Sequence, residues 1–493
     1  MHTTLNLRLT SKILATIVCI IAAAMVPSAL VALYFKEYAT ARAFGMSAFL
    51  FFAMGTFLRA AAQPDKLSIQ VREGSLIVGL SWILASLIGS APYLLSGYTT
   101  SFCSAFFESA AGFTTTGATV FDVTLMPRGL MLWKAMSSWL GGMGILVFLV
   151  TLLPSLGVSG QKIYKAESPG IKIDKITSRI SDSAKMLYMI YIGFTAIEFA
   201  LLTIGSDMSA FDAAVNTLGG ISTSGIFSHP QGLAYYDSIY VELVISTFTV
   251  FSSISFVLYP FLLQGEFRSF FRNPELRVFA GIIAAAALLV TCNLYFSGTY
   301  DTFAESLRYG FFQVTSFSST SGYAITDYSV WPLFSKFILL ILMLIGGCSA
   351  STSGSIKVIR IIVMFKLMKR SIYKRIHPRA VFSLKLGRTP LQEDTISQTA
   401  SFIFAFFAML LAGSILLSLQ GLDMEMTFST ALAMLSNTGI AFGESGYSGY
   451  FGLYSAPLQL VLSTLMIFGR LEIFTILLLF IPSFWDANRA KSL

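Results

Sequence analysis

The stretch Phe113-Thr114-Thr115-Thr116-Gly117-Ala118-Thr119 is a short polar run closed by a glycine and set between apolar segments. The pattern returns as Ser222-Thr223-Ser224-Gly225-Ile226, Thr320-Ser321-Gly322-Tyr323 and Asn437-Thr438-Gly439-Ile440. Irregular backbone at membrane depth is tolerated only where protein buries it or where it lines a water-filled path. Four such breaks in one chain point to four walls of one pore. The competing reading is four glycine turns outside the membrane. The residue types favour a pore. A dehydrated cation needs oxygens in place of its water shell, and rings of backbone carbonyls supply them. Aiming successive carbonyls at one axis demands backbone angles that a Cβ resists, hence glycine. Ser and Thr are small and add hydroxyl oxygens.

Composition agrees with a membrane setting. Of 493 residues, 55% are hydrophobic and only 12% charged, against about 25% charged in soluble domains. Mean hydropathy is +0.73. The chain therefore reads as a polytopic, all-α membrane protein. The net charge of +8 lies in short loops between apolar spans, so nucleic acid is not a fitting partner. Cys19, Cys103, Cys292 and Cys348 are scattered, as are His2, His229 and His377. Neither set has metal-ligand spacing or a disulfide pattern. No His-Glu-x-x-His, no nucleophile beside a base and no cofactor fingerprint occurs, so an enzyme is not expected.

Two apolar segments near 13–35 and 44–62 form an opening hairpin, read as an accessory pair retained in the membrane. Four units follow, each with an outer helix, a short pore helix, the polar break and a long second helix. In unit one these fall near 75–97, 101–113 and 129–153. Units two, three and four span roughly 184–264, 278–369 and 396–482. Domain boundaries are placed at 1–70 for the hairpin, then 71–160, 161–265, 266–375 and 376–493 for the repeats. Gly117, Gly225, Gly322 and Gly439 are 108, 97 and 117 residues apart. That spacing is a long parallel repeat with pseudo-fourfold symmetry about the membrane normal.

Lys and Arg assign the sides. Lys162, Lys165, Lys172, Lys175, Arg179 and Lys185 fall in the loop 154–185. Arg268, Arg272 and Arg277 fall in 265–277. Lys366, Lys369, Arg370, Lys374, Arg375, Arg379, Lys385 and Arg388 fall in 366–388, the longest polar segment. These loops and both termini are expected in the cytoplasm, with the breaks opening outward. Asp122, Asp327 and Glu444 each lie five residues after a filter glycine, where unit two has Pro230 preceded by His229. They read either as an acidic outer vestibule that concentrates cations or as ordinary solvated loop carboxylates.

Two features depart from the repeat. In unit three, Gly346-Gly347-Cys348-Ser349-Ala350-Ser351-Thr352-Ser353-Gly354-Ser355 interrupts the second helix. It reads as an intramembrane gating loop, with Gly346, Gly347, Ser349, Ser351 and Gly354 as its flexible positions. A close-packed small-residue interface or a plain loop is the alternative. In unit four, Arg470 lies mid-way along an apolar span from about Leu458 to Ile481. A charge there costs about 2.5–3.5 kcal/mol on insertion scales. It serves as an electrostatic barrier beneath the filter or as half of a buried pair. Glu472 points elsewhere on a helix, and Glu198 is the partner the sequence offers. Glu198 and Glu472 are the embedded carboxylates expected from the pattern.

The chain resembles the Trk/Ktr/HKT family of potassium transporters and looks most like the membrane subunit of the bacterial Trk system. The resemblance covers nearly the whole chain. It rests on Phe107-Glu108-Ser109-Ala110-Ala111-Gly112-Phe113 leading into the first break, on Trp139-Leu140-Gly141-Gly142-Met143-Gly144, on Lys165-Ala166-Glu167-Ser168-Pro169-Gly170, on the unit-three break and on Arg470. It implies K⁺ uptake through a filter of Thr115, Thr116, Gly117, Ser222, Thr223, Ser224, Gly225, Thr320, Ser321, Gly322, Asn437, Thr438 and Gly439. K⁺ ligands would come from Thr115, Thr116, Thr223, Ser224, Thr320, Ser321, Asn437 and Thr438. Sodium-selective relatives carry serine for the first glycine, and all four glycines here favour potassium. The resemblance further implies a homodimer in the bacterial inner membrane and cytoplasmic TrkA-like nucleotide-binding regulatory subunits. No organic cofactor is expected on the chain itself, and any nucleotide acts through the partner. Symport of K⁺ with H⁺ or Na⁺ is the alternative to a channel-like pore.

Overall fold

The computed structural model describes residues 5–64, 71–144, 180–379, 383–386, 389–391, 393–443, 449–471 and 473–485. The opening pair is one long span, Leu7–Tyr34, followed by Tyr38–Ala61. The first helix begins earlier than the hydropathy run and is re-started at Val26–Tyr34 by Pro27 in its first turn, where proline loses no hydrogen bond. Each unit then repeats one order of elements. Outer helices are Val71–Leu95, Ile180–Gly205, Pro274–Phe296 and Glu393–Leu417. Pore helices are Phe102–Phe113, Ala210–Ile221, Phe303–Ser319 and Met424–Leu435. Inner helices are Arg128–Gly142, Ile239–Ser253, Leu333–Ile345 and Ala456–Arg470. Ser101, Ser209 and Thr302 cap the first three pore helices through their side-chain oxygens, which stops these short helices fraying.

Among the described residues, six helices are long and apolar enough to cross a bilayer, or up to eight when two bent pairs are counted as spans. Large side chains such as Phe49, Ile204, Phe296 and Phe404 stand exposed on their flanks, as a lipid-facing surface requires. The architecture is the expected one: an accessory hairpin and four helix–pore-helix–break–helix repeats around a centre. The only pairing of strands among the described residues is a two-residue antiparallel one, Lys385–Leu386 with Thr389–Pro390.

The inner helices depart from expectation. They are 13–15 residues long, too short to span a bilayer alone. Interruption is therefore not peculiar to unit three. Unit two's inner helix, read as continuous, turns by 85° into Phe256–Leu263. Unit four's turns by 109° after Arg470 into Phe474–Phe480. Unit one's ends at Gly142, with Gly144 at φ +74°. The continuation expected to 153, the loop 154–179 and its Lys165–Gly170 motif lie outside the described residues. So Arg470 sits at a helix end, not mid-span. The basic run after the unit-three break is also helical in part: Lys366, Lys369, Arg370, Lys374 and Arg375 belong to the helix Val358–Ile376.

Candidate functional site: a ring of four backbone segments

Each pore helix ends directly against its polar break, and the four breaks share one backbone. Thr115, Thr223, Thr320 and Asn437 have φ of +57°, +54°, +55° and +56°. Two residues later Gly117, Gly225, Gly322 and Gly439 have φ of +75°, +64°, +72° and +75°. The residue between them sends its N–H back to the pore helix, always to the fifth residue before it. Thr116, Ser224, Ser321 and Thr438 donate to the carbonyls of Ala111, Gly219, Ser316 and Ala433 at 2.8–3.0 Å. The donors are thus used up behind each segment. Among the described residues, the carbonyls of Thr116, Ser224, Ser321 and Thr438 accept no hydrogen bond.

These segments close on one another. A Cβ placed on Gly117 would lie 1.6 Å from the Ser224 carbonyl oxygen. One on Gly225 would meet Ser321 O at 2.1 Å, one on Gly322 would meet Thr438 O at 2.1 Å, and one on Gly439 would meet Thr116 O at 1.8 Å. The contacts run from unit one to two, three, four and back to one. Glycine is required by the approach of the next segment as well as by its own φ. Side chains lock the seams. Trp139 Nε1 donates to Thr195 Oγ1 at 3.0 Å between units one and two. Tyr323 OH donates to Asn216 O and Ile226 O between two and three. Tyr328 OH donates to Ala441 O between three and four. Asn437 Nδ2 donates to Thr116 Oγ1 at 3.0 Å between four and one. The result is a ring of carbonyls behind which four helix C-termini converge, and such termini carry partial negative charge that favours cations.

A buried ion pair, which the sequence reading missed, stiffens the first segment. Lys134 Nζ lies 2.5 Å from Glu108 Oε1 and donates to Ala118 O at 2.9 Å. Glu108 also accepts from Thr119 Oγ1 and Val120 N. Both side chains are buried. A lysine directly after the apolar run Leu130-Met131-Leu132-Trp133, with a glutamate set among the apolar residues of the preceding pore helix, was the available signal. Removing one partner strands a charge, which costs about 3–5 kcal/mol. Lys134→Met should therefore lower the thermal unfolding midpoint far more than Lys134→Met with Glu108→Gln, in detergent-solubilised protein. Equal effects would exclude the pairing as a coupled unit.

Below the ring, on the side of the inner-helix breaks, runs the unit-three segment between Ile345 and Val358. Thr352 Oγ1 lies 3.3 Å from Thr223 Oγ1, and Gly354 N donates to Thr320 Oγ1 at 2.8 Å. The segment thus bonds to the lowest residues of two of the four breaks and packs on a third, since a Cβ on Gly354 would lie 3.0 Å from Asn437 Cβ. It also takes up carbonyls freed where unit two's inner helix stops: Cys348 N donates to Ser253 O, and Thr352 N to Ser252 O. Arg470 reaches it from unit four. Its Nη1 donates to Thr352 O at 2.7 Å, and its Nη2 to Gly141 O and Gly142 O at 2.7 and 2.9 Å. The cation is thus held by main-chain carbonyls, two of them at a helix C-terminus where positive charge is favoured. The expected pairing with Glu198 does not form; both Glu198 oxygens are buried without a hydrogen-bond partner. Glu472 lies outside the described residues. The embedded carboxylates are also more numerous than expected, since Glu108 and Glu275 are buried too.

On the opposite side of the ring Asp122 and Asp327 occupy equivalent places. Each caps a one-turn helix, accepting from Thr124 N at 2.8 Å and from Ser329 N at 2.9 Å. The hydrogen bonds from Thr124 hold the exposed Asp122 carboxyl below its usual value. Glu444 lies outside the described residues. The four cysteines are free, and Cys348 is buried in the unit-three segment.

Residues 41–487 match the TrkH family, described as cation transport protein. Over 485 residues the chain is 34% identical to the Trk system potassium uptake protein TrkH of Salmonella typhimurium, covering 98% of this chain and all of that one. It is 30% identical to the Trk system potassium uptake protein TrkG of Escherichia coli, over 98% of this chain and 99% of that one. Among solved structures, the potassium transporter TrkH from Vibrio parahaemolyticus superposes with a TM-score of 0.86 at 30% identity, over 98% of this chain and all of that one. Fold, ring and sequence agree: the chain is a multi-pass membrane protein, a transporter and not an enzyme, and it belongs to the TrkH family of cation transport proteins.

Proposed function

We propose that the protein takes up K⁺ through the ring of four breaks, which acts as a selectivity filter. The observation that carries this reading is the closed circuit of unbonded carbonyls at Thr116, Ser224, Ser321 and Thr438, backed by four helix C-termini. Carbonyl rings replace the hydration shell of a cation, and relatives of this chain are named potassium uptake proteins. Thr115, Thr223, Thr320 and Asn437 add side-chain oxygens at the lower end. Asp122 and Asp327 line the outer vestibule, to which the sequence spacing also assigns Glu444. The segment 346–355, with Gly346, Gly347, Ser349, Ser351 and Gly354, is the gate, and Arg470 holds it closed. The protein works as a homodimer in the bacterial inner membrane, both termini in the cytoplasm, where TrkA-like nucleotide-binding subunits act on it. An inside-negative potential supplies about 2.3 kcal/mol per charge per 100 mV.

The test is ⁸⁶Rb⁺ or K⁺ flux into proteoliposomes holding the purified chain, with and without the soluble subunit. Uptake that follows the membrane potential and stays low for Na⁺ is expected; equal Na⁺ and K⁺ uptake would overturn the filter assignment. Coupled symport with H⁺ or Na⁺ is the second reading, favoured by the unpartnered carboxylate of Glu198 beside the unit-two pore helix at Gly220. Reversal potentials measured across K⁺, Na⁺ and pH gradients separate the two.

A further inference from the structure

The segment between Ile345 and Val358 holds a conformation that its own residues disfavour. Ala350, Ser355 and Lys357 have φ of +54°, +65° and +34°, angles at which any Cβ is crowded. Such strain persists only where the surroundings over-determine it, and it collects at switch regions. Most of the holding bonds run between main-chain groups or small hydroxyls. Arg470 and Lys357 donate to the segment's carbonyls, and one carboxylate takes up its donors. Glu275, in the first turn of unit three's own outer helix, is 6% exposed. Its Oε1 accepts from Ser349 N at 2.7 Å and its Oε2 from Ser349 Oγ at 2.6 Å. The same Oε1 accepts from Ile359 N at 3.2 Å. Ile359 is the second residue of the helix Val358–Ile376, whose N-cap residue, Lys357, makes no side-chain cap bond.

One carboxylate therefore grips the segment near its start and also caps the basic helix just past its end. The two places are ten residues apart in the chain; beside the one main-chain bond from Val358 N to Gly347 O at 3.0 Å, Glu275 is the side chain that joins them. The Lys357 ammonium lies within electrostatic reach of the same carboxylate. An ionised carboxylate is an acceptor only, and its hydrogen bonds are roughly twice as strong as neutral ones. Glu275 itself is fixed, because Asn273 Oδ1 accepts from its backbone N at 2.9 Å. The outer helix thus presents one carboxylate to both the segment and the basic helix.

We propose that Glu275 is a positioning residue, the latch that ties the basic helix Val358–Ile376 to the strained segment beneath the ring. Displacing the helix draws Ile359 N off the carboxylate, weakens its hold on Ser349 and lets the strained segment relax away from Thr223 and Thr320. The proposal rests on the reading of this segment as a gate, and the test separates the two.

The buried thiol of Cys348 reports on the segment directly. In the full-length chain with Cys19→Ser, Cys103→Ser and Cys292→Ser, the rate at which a small methanethiosulfonate reagent modifies Cys348 is measured alongside K⁺ flux. Hydrogen exchange is followed over 347–361 in the same samples. Glu275→Ala is expected to raise the modification rate roughly tenfold or more, since three bonds to a charged group are lost. Glu275→Gln, which keeps the volume and part of the bonding, falls between. Protection of the amides on both sides of the latch, 347–353 and 358–361, should drop together. An unchanged K⁺/Na⁺ ratio certifies the fold. Faster modification with higher flux supports latch and gate. Faster modification with unaltered flux upholds the latch and refutes the gate. Fraying of 358–361 with unchanged Cys348 modification reduces Glu275 to a helix cap and overturns the proposal, as does no change in folded protein of either variant.

Discussion

Gly117→Ala and Gly117→Ser are expected to cut the K⁺ over Na⁺ permeability ratio by about tenfold or more. Two costs fall on this position. The first is the backbone angle, φ +75°, which costs a residue with a Cβ roughly 1–2 kcal/mol. The second is the neighbour. The new Cβ would lie 1.6 Å from the Ser224 carbonyl oxygen, far inside contact distance, and that oxygen is main chain, so a segment of the ring must move. On the proposed reading of the ring as a filter, a shift of one carbonyl alters the cage that replaces the ion's hydration shell, and each 1.4 kcal/mol of lost discrimination is a factor of ten. Gly97 separates the two costs. It has φ +73° and nothing within 4 Å of its Cβ position. Gly97→Ala should lose only the roughly 1–2 kcal/mol of the backbone angle and keep its ion preference. Permeability ratios from reversal potentials in planar bilayers decide the matter. An unaltered ratio in folded Gly117→Ala would remove the ring from the ion path.

Arg470→Ala is expected to raise basal K⁺ flux in the absence of any soluble partner by roughly 10- to 100-fold. The guanidinium joins the unit-three segment at Thr352 O to the end of unit one's inner helix at Gly141 O and Gly142 O. Alanine breaks that bridge. Hydrogen bonds to a charged donor contribute about 1.5–3 kcal/mol each, and loss of the one to Thr352 shifts a closed–open equilibrium by the matching factor. On the same proposed reading it also removes a fixed positive charge beneath the ring, which would oppose a cation in a low-dielectric passage. Arg470→Lys tells the effects apart. It keeps the charge but cannot bridge with a fork of donors, so flux should rise if the bridge holds the segment and stay low if charge alone blocks the path. Flux equal to the unmodified protein in folded Arg470→Ala would sink the role of this residue. Deleting residues from 349–353 should act in the same direction, since Thr352 is the acceptor.

What the chain discloses by itself is whatever is local or periodic. The helical hydropathy and the four polar breaks were legible because bilayer depth and glycine geometry constrain short stretches of sequence. Arg470 and the small-residue run at 346–355 stood out for a similar reason, since each violates the apolar rule of a membrane helix. The identity of Gly117, Gly225, Gly322 and Gly439 as the closing residues needed no contact information. Their strictest requirement did, because the oxygen that excludes a Cβ at Gly117 belongs to Ser224, 107 residues away. The helix breaks after Gly142 and Ser253 were also hidden. Nothing apolar is lost there, and the freed carbonyls are satisfied by Arg470 and by the unit-three segment, donors from other units. Glu198 was misjudged as a partner of Arg470 because a sequence suggests a carboxylate for a cation, whereas folding brought up the main-chain carbonyls of Gly141, Gly142 and Thr352, which no residue type announces. Glu108 paired with Lys134, and Glu275 clasping Ser349 and Ile359, depend likewise on which helices pack together. Periodicity along a chain determines which elements exist and which face lipid. Partners of buried polar groups are settled only when distant segments meet, since a desolvated donor or acceptor takes whatever counterpart the packing brings within reach.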